Sequence, residues 1–261
     1  MRRAMNVRGA STLHVLALAG AWLVCACQRP TRLSQDAGAP LVIAGGKAAM
    51  PPPGPNDHEE PATKALRLLD AILSNDRQAL VGAIDSGADP NLPVRFSDER
   101  RQKFLEHATW PAVVLASRVA DPWFLEYLLS RGGDANARVE DLPYANKSAF
   151  EQAVLTRRKA NVSLLIQSGL RLNGTTSEGF GLVEFAAACL QYDIARLLVQ
   201  AGASPLAGRE DGRFLAAILC SCPGLNEEGL QKKTTLIEEL RKAGFELPCG
   251  DPVRACTQGK R

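Results

Sequence analysis

Glu178-Gly-Phe-Gly-Leu-Val-Glu-Phe-Ala-Ala-Ala-Cys-Leu-Gln-Tyr-Asp-Ile-Ala-Arg-Leu-Leu-Val-Gln-Ala-Gly-Ala-Ser-Pro-Leu206 is the stretch on which the reading of the fold turns. Two short apolar patterns at helical spacing meet at a polar corner, and a glycine turn closes the second. A hairpin of this size cannot bury its own apolar face, so it needs neighbours of the same kind.

Those neighbours are legible from the glycine outward. The turn around Gly202 follows the turn around Gly169 by 33 residues (169 to 202). Related turns stand at Asp85-Ser86-Gly87-Ala88-Asp89-Pro90-Asn91, at Ser130-Arg131-Gly132-Gly133-Asp134-Ala135-Asn136 and, more worn, at Lys242-Ala243-Gly244-Phe245. Each is preceded by apolar residues at three-and-four spacing: Leu80 and Ile84; Phe124, Leu128 and Leu129; Val162, Leu165 and Ile166; Ile194, Leu197 and Leu198; Leu236, Ile237 and Leu240. That spacing predicts a second helix in each of five units, and the glycine suits a left-handed C-terminal cap. Sixteen residues before the first four glycines stand Ala71, Ala116, Ala153 and Ala186 (71 to 87, 116 to 132, 153 to 169, 186 to 202), which calls for a first helix packed too closely for any larger side chain.

This arrangement resembles the ankyrin repeat, in which such an alanine-bearing helix is followed by a second helix, a Gly-Ala-Asp-x-Asn turn and a finger loop. Ser148-Ala149-Phe150-Glu151-Gln152-Ala153 is similar to a worn Thr-Pro-Leu-His-x-Ala, and Glu178-Gly179-Phe180-Gly181 and Asp211-Gly212-Arg213-Phe214 resemble the finger opening. The resemblance spans 62–248 and implies an all-α, ankyrin-type solenoid of about five stacked helix-turn-helix units.

Insertions break the period, since the glycines are 45, 37, 33 and 42 residues apart (87, 132, 169, 202, 244). The first covers Leu92 to Thr109 and includes the charged run Ser97 to Glu106, which reads as an extra helical turn or two. Its Phe96, Arg100 and Arg101, with Trp110 beside it and Tyr144 in the second insertion, are of the residue types that anchor interfaces, and they form the candidate partner-binding set. The third insertion, Cys222 to Lys233, falls between the two helices of the last unit.

Upstream of the repeats the chain changes character. Residues 1–26 carry Arg2, Arg3 and Arg8, no acid, and the apolar run Leu13 to Val24, the anatomy of an export signal too short for a stable membrane span. Val24-Cys25-Ala26-Cys27 resembles the bacterial lipobox, which implies a lipid anchor on Cys27. Gln28, where an aspartate signals inner-membrane retention in that family, implies an outer-membrane address facing the periplasm. Residues 27–61, with Pro51-Pro52-Pro53-Gly54-Pro55, read as a semi-rigid tether. The formal charge of +3 belongs to the leader: removing its three arginines from 31 basic residues leaves 28 against 28 acidic ones, which argues against a nucleic-acid partner.

Five cysteines lie beyond Cys27, in a compartment that permits disulfides. Cys189, next to Ala187 and Ala188, reads as a small buried hydrophobe. Cys220, Cys222, Cys249 and Cys256 read as disulfide candidates that staple the tail 249–261 to the last repeat; a Cys220 to Cys222 bond would be strained, so two pairings remain. Their spacing matches no familiar zinc pattern, and no metal site or cofactor is expected.

Nothing points to catalysis. His14 leaves with the signal, His58 sits in the tether and His107 stands alone in the first insertion. No nucleophile elbow, phosphate-cradling glycine loop or His-Glu-x-x-His occurs, so no catalytic residue and no small-molecule substrate are assigned. The expected device is a membrane-tethered module that holds an envelope or periplasmic protein in its concave face and finger loops. Ankyrin-like bacterial lipoproteins include immunity proteins that block a toxic effector, and the resemblance extends that role to this chain. The alternative is an envelope hydrolase with an unfamiliar site in the inserted loops. Labelling of palmitate-fed cells should follow this chain and disappear in Cys27→Ala; label retained in the variant would defeat the lipid-anchor reading.

Overall fold

A computed structural model describes residues 60–95, 109–139, 148–221 and 225–249. Among these residues the fold is all-α, with ten α-helices, one 3-10 turn and no strand beyond isolated bridges. They fall into two compact units, 60–170 and 171–249.

The first unit holds three helical hairpins: α1 (Pro61–Ser74) with α2 (Arg77–Asp85), α3 (Ala112–Ala116) with α4 (Trp123–Ser130), and α5 (Ala149–Leu155) with α6 (Lys159–Gln167). Successive hairpins pack first helix on first helix, α1 on α3 and α3 on α5, while α4 packs on α6. The second unit holds α7 (Leu182–Ala188) with α8 (Tyr192–Gln200), a 3-10 turn at Arg209–Gly212, and α9 (Arg213–Cys220) with α10 (Glu227–Lys242); α7 packs on α9 and α8 on α10.

Local chemistry sets these boundaries. Pro61 opens α1, where its missing N–H costs nothing. Asp76 and Asn226 cap α2 and α10 by accepting the backbone N–H of Ala79 and Gly229. Ser148 and Glu151 cap α5 reciprocally: Ser148 Oγ accepts the Glu151 N–H at 3.1 Å and Glu151 Oε2 accepts the Ser148 N–H at 2.8 Å. In α7 the carboxylate of Glu184 makes the same return bond to the Gly181 N–H. Helices as short as the five-residue α3 have no stability alone, and burial holds them: every residue of α3 is at most 2% exposed.

The five hairpins end alike. Gly87, Gly132, Gly169, Gly202 and Gly244 have φ between 81° and 96°, the left-handed region open to glycine. In each, the next residue donates its N–H to a carbonyl five positions back, Ala88 to Ala83, Gly133 to Leu128, Leu170 to Leu165, Ala203 to Leu198 and Phe245 to Leu240. The residue that accepts is buried every time.

The Asp-x-Asn portion of the turn has a separate task. Asp89 and Asp134 close their own turns by accepting the N–H of Asn91 and Asn136, each at 2.8 Å. The asparagines reach onward: Asn91 Nδ2 donates to the Gly132 carbonyl and its Oδ1 accepts the Asp134 N–H, and Asn136 Nδ2 donates to the Gly169 carbonyl. Within the second unit Asn173 Oδ1 accepts the Ser204 N–H at 2.8 Å in the same way.

Two sequence expectations change, and of the two cysteine pairings left open one is seen. The third insertion lengthens a helix instead of forming a loop: α10 starts at Glu227, runs for 16 residues and takes in Lys233, because Asn226, Glu227 and Glu228 supply a strong helix start. Cys220 pairs with Cys249, their Cα atoms 5.9 Å apart, which ties the end of α9 to the segment after α10. Cys189 is not a free thiol but is disulfide-bonded; Cys222 and Cys256 lie outside the described residues.

Ala71, Ala116, Ala153 and Ala186 are at most 2% exposed. Because Ala186 sits where α7 meets α8 and α9, Ala186→Leu should cost about 1–3 kcal/mol through overpacking, read from the urea midpoint. A smaller change would mean that the hairpins have room to separate.

Lys233 lies fully buried, its Nζ donating to the Ser221 carbonyl at 2.6 Å, and desolvation lowers its pKa from 10.5 to about 8. Below pH 8 the lysine is charged in both states and the desolvation cost stands in full. Between about 8 and 10.5 the unfolded chain binds more protons than the fold, so stability rises with pH through that window. Tyr192, whose buried phenol is pushed above its ordinary value, works in the opposite sense above pH 10. The difference between the parent and Lys233→Met in urea melts across pH 7 to 11 isolates the lysine: the rise should be present in the parent and absent from the variant.

Candidate interaction surface

In the first unit each inserted loop leaves the scaffold through a two-residue gate. Val94 and Trp110 form an antiparallel bridge, the Trp110 N–H donating to the Val94 carbonyl at 2.8 Å, and this closes the base of the first insertion. Arg138 and Ser148 form the matching bridge in the next hairpin, with the Ala149 N–H donating to the Ala137 carbonyl at 3.0 Å. Trp110 stands one residue before Pro111, the N-cap of α3, and Ser148 is itself the N-cap of α5. In the second unit, Thr175 and Gly181 make the same bridge over a plain five-residue turn, where Thr176 accepts the Phe180 N–H on its hydroxyl. A Cβ on Gly181 would collide with the Ala207 carbonyl, so the next loop lies directly against this one.

Of the residues singled out from sequence, Phe96, Arg100, Arg101 and Tyr144 lie outside the described residues, as does the lipidation candidate Cys27. Trp110 is described and is 1% exposed. Its indole packs inside the scaffold with the Arg118 guanidinium over the ring at 5.2 Å, so it seats the gate and offers no face to a partner.

A second surface was not anticipated. It is built around the turn 117–122 between α3 and α4. Asp121 carries it: one carboxylate oxygen accepts the Trp123 N–H at 3.1 Å and the other receives Arg77 of α2, at 2.6 Å from Nη2 and 3.0 Å from Nε. Arg77, held there, lies over the Trp123 indole at 5.0 Å. Trp123 stacks on Tyr127 one turn along α4, centroids 5.0 Å apart and planes 14° from parallel, and Arg131 covers the far side of Tyr127 at 5.0 Å. The result is a four-membered stack with an arginine at each end, each cation contact worth about 0.5–1 kcal/mol at such an exposed place.

The other flank of the turn belongs to the start of α6. Asn161, 1% exposed, donates Nδ2 to the carbonyls of Ala116, Ser117 and Val119, and Arg158 Nε donates to the Arg118 carbonyl at 3.2 Å. Burial lowers the Arg158 pKa from its ordinary value. Arg157 beside it is exposed and takes a left-handed φ of 60°, the conformation also adopted at the corners by Asn75 and Leu190. Arg77 and Arg158 therefore reach one turn from two helix starts, with Arg118 within it, Asp121 at its end and Glu126 in the first turn of α4. The sequence signal was present in the i, i+4 pair Trp123 and Tyr127 and in the run Arg157-Arg158-Lys159, but these are 30 residues apart (127 to 157) and only the hairpin packing joins them.

All three histidines lie outside the described residues, and among the described ones no cluster of three His, Cys, Asp or Glu could hold a metal ion. No described helix is long and apolar enough to cross a membrane. No protein-family model matches the chain, and no curated protein matches it in sequence.

Proposed function

We propose that the chain is an ankyrin-type repeat module, anchored to the bacterial outer membrane by a lipid on Cys27, that binds a protein of the envelope or periplasm. The observation that carries this reading is the pair of gates: two insertions of different length leave consecutive hairpins through a bridge that closes within two residues of a first helix. A scaffold that holds variable loops side by side presents them as one composite surface, the arrangement that binding modules use and that a single packed core does not need. The repeated glycine caps, the buried alanines and the asparagine links between hairpins support the ankyrin-type assignment. On this reading Phe96, Arg100, Arg101 and Tyr144 supply the contacts, and Trp110 holds the base of the first loop. An immunity role against a toxic effector is the form of this function that the family resemblance suggests; an effector gene beside this one would support it.

Capture from cross-linked envelopes tests the reading. The parent chain should retain a stoichiometric protein partner, and Phe96→Ala/Arg100→Ala/Arg101→Ala should release it with the helical circular dichroism unchanged. Capture that persists in this triple variant, or hydrolase activity in the purified chain with no partner, would overturn it.

A further inference from the structure

We propose that the aliphatic run Leu41-Val42-Ile43, in the stretch that leads into the hairpins, folds back onto the outward flank of the first hairpin and closes that end of the stack. The flank lies apart from the partner-binding loops, and its occupancy does not depend on a lipid at Cys27.

The flank itself is the first ground. α3 lies between two first helices, α1 and α5, and all of its residues are buried, whereas α1 has such a neighbour on one side only among the described residues. On α1, Leu66 and Leu73 are seven residues apart (66 to 73) and share one stripe; on α2, Val81 and Ile84 share another; all four are half-buried. Lys64 Nζ donates to the Ser86 carbonyl at 2.8 Å, so the start of α1, where Leu66 stands, lies beside the end of α2, where Ile84 stands. The end of a repeat stack stays soluble when its terminal unit turns a polar face outward. Counted back from the turn glycines, the place of Leu66 is filled in the next three hairpins by Pro111, Ser148 and Gly181 (each 21 before 132, 169 and 202), and that of Val81 by Glu126, Ser163 and Arg196 (each 6 before). The terminal hairpin therefore carries aliphatic side chains at two places where its successors carry none.

The second ground is the chain that enters at this hairpin. Residues 28–59 lead directly to α1, and Leu41-Val42-Ile43 is their only run of consecutive large aliphatic residues. Gly45-Gly46 follows it and permits a reversal of direction. From Ala44 to Glu60 the chain has 16 residues (44 to 60) and a span of up to about 50 Å, while α1 is about 21 Å long. Even with Pro51-Pro52-Pro53-Gly54-Pro55 held extended, the run reaches the whole flank.

The third is magnitude. Covering about half of an aliphatic side chain is worth a preference of roughly three- to tenfold, and a short tether supplies a millimolar effective concentration. A contact too weak to form between separate molecules is then favourable within one chain. Where Cys27 carries a lipid, docking also shortens the leash: the 34 residues from Cys27 to Pro61 (27 to 61) become 14 (27 to 41), and the reach from the bilayer falls from about 110 Å to about 50 Å.

Amide hydrogen exchange of the full chain, acylated and as Cys27→Ala, tests this. In both forms the amides of 41–44 should exchange at least about tenfold slower than in a free peptide of the same sequence. In Leu41→Asp/Val42→Asp/Ile43→Asp that protection should vanish, and the first turns of α1 should exchange at least about tenfold faster with the helical circular dichroism unchanged. Leu66→Lys/Val81→Lys should release the run in the same way; the aspartate variant, which leaves the hairpins untouched, decides if the lysine variant loses helicity. Free exchange of 41–44 in the parent would overturn the proposal, as would protection that survives in a folded Leu66→Lys/Val81→Lys chain. Protection seen only in the acylated form would give the run to the bilayer and overturn it too. So would protection of α1 that falls on dilution as the mass from light scattering drops from dimer to monomer, which would give the flank to a second copy.

Discussion

Every hairpin here depends on a carbonyl that its own helix cannot satisfy. Helices of about nine residues leave much of their backbone at the ends, so a stack of them stands or falls on how those ends are closed. The glycine turn closes part of the deficit from within, by folding back in the left-handed region. The carbonyl of the glycine itself still faces outward, and the preceding hairpin fills it: Asn91 on Gly132 and Asn136 on Gly169. One side chain thereby does two things. It removes an unsatisfied acceptor and fixes the register of one hairpin on the next, before any apolar packing is counted. Burial of Leu128, Leu165 and their counterparts then supplies the larger share of the free energy, but only in the register that the asparagines permit.

That division explains where the chain tolerates extra residues. Lengthening a loop between two fixed ends costs little, roughly 0.6 kcal/mol for each doubling, provided that the ends stay fixed. The bridges Val94 to Trp110 and Arg138 to Ser148 fix them. At the corners between first and second helices there is no such latitude. Asn161 spans three carbonyls of the turn 117–122, and Asn75, Arg157 and Leu190 are held in left-handed backbone. The one insertion made at such a corner, before α10, is taken up largely as added helix and is flanked by the Cys220 to Cys249 bond.

The repeating parts were legible in sequence because each rests on a residue type with a single physical use. Glycine at positive φ, alanine in a tight helix contact and Asp-x-Asn in a turn recur at fixed offsets, so periodicity alone found them. What sequence missed depends on the meeting of distant residues. Trp110 has the composition of an interface anchor, yet its place at the bridge turns the indole into the core. Arg77 and Asp121 are 44 residues apart and gain their meaning only from each other. Cys189 has the neighbours of a buried apolar side chain, and its small, apolar surroundings suit a disulfide sulfur equally well; local composition does not separate the two. Lys233 sits amid polar residues and reads as solvent-facing, but the helix start at Asn226 rotates it into the interior.

Cations under desolvation recur in both units and sharpen the contrast between scaffold and surface. Lys233 and Arg158 each have a lowered pKa from burial, and each donates to the backbone at a corner, Lys233 to Ser221 and Arg158 to Arg118. At Ser221 the arrangement follows the helix dipole, since a cation at the C-terminal end of α9 meets the negative pole and the carbonyls left open there. Arg158 satisfies a corner carbonyl too, but it caps the positive end of α6, with Arg157 and Lys159 on either side. The dipole therefore favours the cation at one corner and opposes it at the other, while burial costs both.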